Sequence, residues 1–155
     1  MISADSSTHS SLPRKEAGQP QTVFRKYAAR IKNTSTIVSE ARRGVAAETF
    51  FDVADASLLN QNLLADLLHI SLKTFQRYRK ENKRLNPATS EHLLKLLALF
   101  QQGNEVFGSI NSFNRWLTKP AFGLGDQVPL ELLETSGGID LVMDQLLRIA
   151  YGDLA

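Results

Sequence analysis

Apolar residues recur at spacings of three and four along most of this chain, and no segment sustains an alternation of period two. Residues Leu93 to Phe100 are apolar on nearly every side, which predicts a helix buried between two layers. Asn86-Pro87 is typical of a helix N-cap followed by proline at the first helical position. The sequence therefore predicts an all-α fold.

Helix boundaries can be predicted from capping residues. Ser71 precedes a helical pattern and is predicted as its N-cap, and a shorter helix is predicted to follow Ser109. Ser35 is predicted to cap a short helix that ends at Gly44, a residue able to adopt the left-handed conformation. The segment 34–39 is rich enough in β-branched residues that a strand is an open alternative there.

Composition divides the 155-residue chain into three parts. Residues 1–21 are rich in Ser, Thr, Pro and Gln and carry few large apolar side chains, so they are predicted to form a disordered tail. Residues 22–108 and 109–155 are predicted as two helical domains with a soft boundary near residue 108, and one continuous helical body is the alternative. No repeat of fixed period occurs in the sequence.

Several classes of function are disfavoured by composition. The absence of cysteine excludes disulfide frameworks, thiolate zinc sites and a cysteine nucleophile. No apolar run approaches the length of about 20 residues that spans a bilayer, and the first 20 residues lack the apolar core of a secretory signal. His9, His69 and His92 lack a third metal ligand nearby, and no nucleotide-binding loop or nucleophile elbow is present. We therefore expect a soluble, cytoplasmic protein that is not an enzyme and has no cofactor, metal site or membrane partner.

Charge is distributed unevenly although the net charge is only +2. Residues 1–44 carry eight basic and three acidic side chains, and residues 58–84 carry six and two. Residues 109–155 carry three basic and six acidic side chains. A basic front half joined to an acidic back half indicates that the front half binds nucleic acid and the back half binds a different partner.

The stretch Gln61–Lys80 has the pattern of a helix-turn-helix. Two helices that cross through a short turn need a small residue at their contact, and Ala65 is suitably placed. The residues predicted to point into the shared core are Leu64, Leu68, Ile70, Leu72, Phe75 and Tyr78. The turn position that is commonly glycine is His69, which tolerates a positive φ at some strain.

Polar residues of the second helix form the predicted DNA-reading face. With Phe75 and Tyr78 committed to the core, a cationic stripe at spacings of three and four faces away from it. Arg and Lys can donate to guanine edges, Gln can bridge adenine, and hydroxyls near a helix N-terminus suit phosphate contacts. The candidate DNA-binding residues are Ser71, Lys73, Thr74, Gln76, Arg77 and Lys80. A solvated helix face without DNA is the alternative for this stripe.

An ordered set of short motifs covers the chain from about residue 36 to its end. It begins with Arg43-Gly44-Val45, continues through Ser71–Arg77, Arg84–Ser90 and Glu105–Gly108, and is densest in the last 41 residues. That final part contains Arg115-Trp-Leu117, Pro120, Leu124-Gly125, Pro129–Leu133 and Arg148–Gly152. Through these motifs the chain resembles the Xre/MbcA/ParS-type antitoxins that partner RES-domain toxins. Phe122 and Asp126 depart from the family pattern in one loop.

The resemblance implies a function in two parts. It implies an antitoxin of a type II toxin–antitoxin system, whose Xre-like helix-turn-helix binds double-stranded operator DNA and represses its own operon. It also implies a small C-terminal domain that forms a homodimer and covers the active site of a cognate RES-domain toxin, which degrades NAD.

Candidate toxin-binding residues lie in the loop-rich segment after residue 114 and at the C-terminus. They are Arg115, Trp116, Phe122, Leu124, Arg148, Tyr151, Gly152, Asp153 and Leu154. Aromatic residues and Arg are frequent interface anchors, although the core of a small helical domain is the favoured place for Trp116. A terminal segment that becomes ordered on binding would explain why the family pattern extends to Gly152.

Two other functions are compatible with these residues. The chain could be a stand-alone dimeric regulator without a toxin partner. It could also be an interaction module whose helix-turn-helix has lost DNA binding.

Overall fold

The computed structural model describes residues 20–152, and over this range the protein is all-α, as predicted. Two isolated β-bridges join Ala46 to Arg84 and Ala121 to Gln127, and residues 20–152 contain no strand. The helices are α1 (residues 20–27), α2 (Thr34–Arg43), α3 (Glu48–Ser57), α4 (Gln61–Leu68), α5 (Leu72–Lys80), α6 (Pro87–Phe107), α7 (Ile110–Leu117), α8 (Pro129–Leu132) and α9 (Ser136–Ala150), with a 3₁₀ turn at Phe122–Leu124.

Side-chain caps define most of the helix starts. Ser71, Asn86 and Ser109 each accept a hydrogen bond from the backbone N–H three residues later, which confirms the predicted boundaries. The predicted cap at Ser35 is wrong, because Asn33 caps α2 in a capping box with Thr36. Both side chains of that box satisfy backbone N–H groups, so the β-branched segment 34–39 is helical.

The long helix α6 forms the centre of the fold. It packs against α2, α3, α7 and α9, which surround it. Its fully buried large residues are Leu93, Leu94, Leu96, Leu97, Leu99 and Phe100, each 1% exposed or less. The prediction that this helix is buried is therefore confirmed.

One apolar core runs through both predicted domains. Buried residues before and after Gly108 belong to a single cluster. The Asn114 side chain donates to the Ser57 carbonyl at 2.8 Å, and Lys95 Nζ contacts the Ser136 hydroxyl at 2.6 Å. Helix α6 ends at Phe107 and Gly108 takes the left-handed conformation, at the position where the domain boundary was predicted.

Helix α1 is anchored on α3 by polar contacts as well as by burial of Val23 and Phe24. The Tyr27 hydroxyl donates to the Asp52 carboxylate at 2.6 Å, and Lys26 Nζ lies 2.9 Å from the same oxygen. Burial and the bond to Asp52 raise the pKa of Tyr27 well above its ordinary value. Pro20 and Gln21, assigned to the tail by the prediction, are helical, and residues 1–19 lie outside the described residues.

Candidate nucleic-acid and partner interfaces

Helices α4 and α5 form the helix-turn-helix predicted from the sequence. Ala65 is 2% exposed, as a close helix crossing requires. Leu64, Leu68 and Phe75 are buried, while Ile70, Leu72 and Tyr78 are half-buried against the core. The Phe75 ring stacks on Phe50 of α3 with centroids 4.0 Å apart, so the second helix is held against the bundle by its inner face.

The turn between the two helices is closed by His69. Its backbone is left-handed, with φ of 60°, as the pattern predicted for a position that favours glycine. Its N–H satisfies the carbonyls of Ala65 and Asp66 at the end of α4. The imidazole reaches out of the motif, and Nε2 lies 3.0 Å from the Glu134 carbonyl oxygen.

The outer face of α5 is cationic and accessible. Lys73, Gln76, Arg77 and Lys80 are all exposed, and together with Arg79 they line a shallow depression of about 670 Å³. Lys73 and Lys80 form no ion pair within residues 20–152. The geometry therefore presents donors for base edges on one stripe of the helix.

Ser71 and Thr74 are occupied with the start of α5. The Ser71 hydroxyl accepts from the Thr74 backbone N–H at 3.1 Å and donates to the Thr74 hydroxyl at 2.9 Å. Ser71 is exposed and Thr74 is half-buried. Both lie at the positive end of the helix dipole, where an anion is favoured.

Some cations beyond the stripe have structural partners. The Arg79 guanidinium lies 3.7 Å from the centroid of the Phe51 ring, and Arg84 donates to the Gly44 carbonyl at 2.6 Å. Lys83 lies 3.8 Å from the Glu81 carboxylate. The Arg77 guanidinium lies 5.3 Å from the centroid of the Tyr78 ring, so Lys73 and Lys80 are the cations of α5 most available to a ligand.

Exposed apolar side chains are concentrated in the C-terminal part of the chain. Phe122 is 82% exposed and Tyr151 is 81% exposed, and Leu141 and Leu147 also face solvent. Arg115 and Arg148 are exposed as well. Exposed aromatic residues and arginines are frequent anchors in protein-binding surfaces.

The loop that carries Phe122 has a defined shape despite its departures from the family pattern. Ala121 and Gln127 pair across its base, and Leu124 packs on the core. Gly125 and Asp126 both have positive φ, of 65° and 64°. Because Asp is among the residues that tolerate this conformation, the loop closes with Asp126 and holds Phe122 outward.

Trp116 and the terminal residues differ in environment. Trp116 is half-buried, and its ring lies 5.5 Å from Phe107 and 6.0 Å from Phe113 between centroids. Its ring is therefore committed largely to packing, the role that the sequence favoured for it. Gly152 has a φ of 81°, and the candidates Asp153 and Leu154 lie outside the described residues.

Leu141 and Leu147 are exposed apolar residues that were not among the predicted partner-binding residues. Leu141 lies two turns before Arg148 on the same face of α9, and this spacing was the available signal. Leu147 is 36% exposed, at the edge of the buried stripe.

Two further properties of the described residues bear on function. Within residues 20–152, no group of three or more His, Cys, Asp or Glu side chains is placed to hold a metal ion. In the same range, no helix is both long and apolar enough to cross a membrane.

The fold and its cationic second helix define a helix-turn-helix protein with an additional C-terminal helical surface. Residues 36–98 match the family model described as the antitoxin Xre-like helix-turn-helix domain. Residues 102–152 match the model described as the antitoxin Xre/MbcA/ParS C-terminal toxin-binding domain. The chain therefore belongs to the Xre/MbcA/ParS family of antitoxins, as the sequence motifs indicated.

Two relatives support this assignment. The Prs ADP-ribosylating antitoxin of Sphingobium sp. (strain YBL2) is 28% identical over 123 residues, which cover 74% of this chain and 77% of the relative. The antitoxin Xre of Pseudomonas putida (strain KT2440) is 29% identical over 83 residues, which cover 54% of this chain and 52% of that protein. The chain thus has the two parts of an Xre-family antitoxin, a helix-turn-helix and a toxin-binding domain.

Proposed function

We propose that this chain is the antitoxin of a type II toxin–antitoxin system. In this proposal it neutralises a RES-domain toxin that consumes NAD by covering the toxin's active site. It also binds operator DNA in the cytoplasm as a homodimer and represses its own operon. The observation that carries the proposal is the coexistence of a free cationic face on α5 and an exposed aromatic surface in the toxin-binding domain.

DNA binding is supported by the geometry of α5. Lys73, Gln76 and Arg77 lie on one exposed stripe, while Phe75 is fully buried behind them. A single recognition helix contacts too few bases for high specificity, so two copies would read half-sites about 34 Å apart. Ser71 and Thr74, at the N-terminus of the helix, would contact phosphate, and Lys80 would contact the backbone or a base at its other end.

The DNA-binding part is tested by replacing one residue of the stripe. Arg77→Ala should weaken operator binding by about 1–3 kcal/mol if Arg77 reads a base. Lys119→Ala removes the same charge from an exposed position in the C-terminal part and serves as the matched control. Equal operator affinity of Arg77→Ala and the unaltered protein in a gel-shift titration would contradict the role of the stripe.

Toxin binding is supported by the exposure of Phe122 and Tyr151. Burial of apolar surface is favourable, and aromatic side chains near arginine provide anchors for a partner. Arg115, Arg148 and Leu124 complete the proposed interface. Trp116 would contribute by supporting the surface from behind, and the terminal segment with Gly152, Asp153 and Leu154 would insert into the toxin's cleft.

The name of one relative bears on the chemistry of the toxin. That relative is called a Prs ADP-ribosylating antitoxin. ADP-ribosylation takes ADP-ribose from NAD, so a toxin that transfers ADP-ribose and one that degrades NAD share this substrate. We propose NAD consumption for the toxin of this system, and isotope-labelled NAD would show whether the ADP-ribose is released or attached to a protein.

The toxin-binding part is tested by co-expression with the product of the neighbouring reading frame. Phe122→Ser and Tyr151→Ser should each reduce protection of cellular NAD, and deletion of residues 152–155 should do the same. Asn62→Ser, an exposed change on α4, is the control and should protect fully. Failure of the unaltered protein to co-purify with any NAD-consuming neighbour would favour a stand-alone regulator instead.

A further inference from the structure

An apolar groove lies between α2, α6 and α9. It has a volume of about 390 Å³, and its apolar walls include Ile37, Ala98, Ile139 and Met143. Val38 of α2 also lines the groove and is 40% exposed. The packing of these three helices therefore leaves a concave apolar surface accessible.

The groove is shared between the two parts of the chain. Val38 and Ala98 belong to the helix-turn-helix part, whereas Met143 belongs to the toxin-binding domain. A partner that binds α9 at this groove would therefore also meet α2 and α6.

One face of α9 continues from the groove to the C-terminal end of the helix. Asp140, Met143, Leu147 and Tyr151 follow one another at spacings of three and four, so they lie on one side of α9. Met143 is half-buried, Leu147 is 36% exposed and Tyr151 is 81% exposed. At the rise of an α-helix this face is about 16 Å long, which corresponds to three helical turns.

Acidic side chains border the groove end of this face. Glu91 and Asp140 line the groove, and Asp144 is exposed one turn further along α9. Lys95 lies 2.7 Å from Asp140, whereas Asp144 forms no ion pair within the described part of the chain. Because Lys95 offsets one of three carboxylates, this end of the surface is negative beside its apolar strip.

We propose that the groove and this face of α9, together called the α9 surface, bind a basic amphipathic helix of the toxin. Such a helix fits an apolar groove by placing apolar residues at spacings of three and four against it. Lysine or arginine on its flanks would pair with Asp140 and Asp144. The inference rests on the proposed function, and it adds the chemistry of the toxin segment and the participation of α2 and α6.

Continuity with the toxin-binding domain selects the toxin over other occupants. Residues 139–151 lie within that domain, and the α9 surface ends at Tyr151, an anchor of the proposed toxin interface. DNA is disfavoured, because Asp140 and Asp144 would repel its phosphates. The groove shares no residue with the depression on the cationic face of α5, so a helix bound here leaves that face open.

Reversal of one charge tests the electrostatic part of the proposal. Asp144→Lys in the full chain should raise the dissociation constant for the toxin by about tenfold or more, because the new cation would face a basic helix. Asp66→Lys makes the same change at an exposed position on α4 and is the matched control. Equal dissociation constants for the two lysine variants would overturn the proposal.

Isothermal titration calorimetry with the purified product of the neighbouring reading frame measures both variants. Added salt screens exposed charges, so it should weaken the unaltered complex more than the Asp144→Lys complex. The same salt dependence in both complexes would contradict an ion pair at Asp144.

A second pair of variants tests the contribution of α2. Val38→Lys places a cation in the groove and should also raise the dissociation constant for the toxin by about tenfold or more. Ser39→Lys, the matched control, alters the next residue, which lines a separate depression on α2. Toxin binding as tight in Val38→Lys as in Ser39→Lys would overturn the proposal. Circular dichroism and operator binding verify that each variant is folded, and Asp144→Lys decides if Val38→Lys is not.

The outcomes separate this inference from the proposed function. Toxin binding that Phe122→Ser weakens, but that Val38→Lys and Asp144→Lys leave unchanged, would overturn the inference alone. A change in the oligomeric mass of Val38→Lys with unchanged toxin binding would also overturn it and would assign the groove to a second copy. Absence of toxin binding by the unaltered chain would contradict the proposed function and this inference together.

Discussion

The Nε2 atom of His69 lies 3.0 Å from the backbone carbonyl oxygen of Glu134, 65 residues further along the chain. His92 Nε2 lies 2.8 Å from the carbonyl oxygen of the preceding residue, Leu133. Two imidazoles, one from the helix-turn-helix turn and one from α6, therefore hold the connection between α8 and α9. The position of the C-terminal helix relative to the DNA-reading motif is set partly by these bonds.

Two substitutions of His69 distinguish the effect of its left-handed backbone on the free energy of unfolding from the effect of its side-chain hydrogen bond. His69→Gly removes the hydrogen bond, worth about 0.5–1.5 kcal/mol, but also relieves the left-handed strain, so its stability should stay close to that of the unaltered protein. His69→Ala loses the bond and keeps the strain, and should be less stable than His69→Gly by about 1 kcal/mol. Urea unfolding measures both. Equal stability of the two variants would show that the left-handed backbone at position 69 costs little with a non-glycine residue, which would contradict this prediction.

Two adjacent glycines at the start of α9 should respond differently to the same change. A Cβ on Gly138 would lie 1.7 Å from the Leu132 carbonyl oxygen, whereas a Cβ on Gly137 would meet no atom within 4 Å. Gly138→Ala must displace the backbone of α8 and should destabilise by about 2 kcal/mol or more. Gly137→Ala should stabilise by up to about 1 kcal/mol, because alanine is the better helix former.

The two glycine variants serve as controls for each other, and thermal unfolding of both measures the difference. A Gly138→Ala protein as stable as Gly137→Ala would show that the α8–α9 connection adjusts freely. That result would also contradict the view that His69 and His92 hold this connection in one arrangement.

Stability should depend on the ionisation of His92. Burial is the main cause that lowers the pKa of His92 below its ordinary value near 6.5, and the nearby charges of His69 and Lys95 lower it further. The hydrogen bond to Leu133 and the charge of Glu91 act in the opposite direction but do not cancel this shift in the pKa. As the pH falls below 6.5, the unfolded chain takes up a proton that folded His92 resists, so the free energy of unfolding decreases until the folded pKa is passed.

His92→Gln keeps a side-chain donor for Leu133 but cannot ionise. Its free energy of unfolding should therefore fall less steeply between pH 7 and about pH 5 than that of the unaltered protein. Urea unfolding at a series of pH values compares the two slopes. If the free energy of unfolding falls equally steeply with pH in both proteins, groups other than His92 cause the acid sensitivity.

Substitution of two aromatic residues of the C-terminal part should distinguish a role in packing from a role in partner binding. Trp116 stacks near Phe107 and Phe113, so Trp116→Ala should lower the free energy of unfolding by about 2–4 kcal/mol. Phe122 is 82% exposed, so Phe122→Ser should change stability by less than about 0.5 kcal/mol and weaken only toxin binding. A toxin pull-down combined with thermal unfolding distinguishes the two effects, and a large stability loss in Phe122→Ser would contradict its assignment.

The helical elements of this protein were largely predictable because their signals are local. The caps at Ser71, Asn86 and Ser109, the buried sides of α6 and the positive φ of His69 each depend on residues within one or two helical turns. The cap of α2 was misplaced by two residues because Asn33 and Ser35 are both acceptable caps by composition. Only the hydrogen bonds of the capping box with Thr36 distinguish them.

The candidate sites were predictable only in part. The exposed stripe with Lys73, Gln76 and Arg77 follows from helical spacing once Phe75 is assigned to the core. The contact of Arg79 with the Phe51 ring could not be predicted, because Phe51 lies on another helix whose position depends on packing.

By itself, the sequence determined that the chain is helical, where most helices begin and which side of α5 is cationic, since these properties arise from neighbours three or four residues apart. Tertiary structure alone decided that His69 reaches Glu134, and that Trp116 packs against Phe107 while Phe122 is exposed. These relationships join residues far apart in the chain. Their distances are set by how whole helices pack around α6, and no local pattern contains that information.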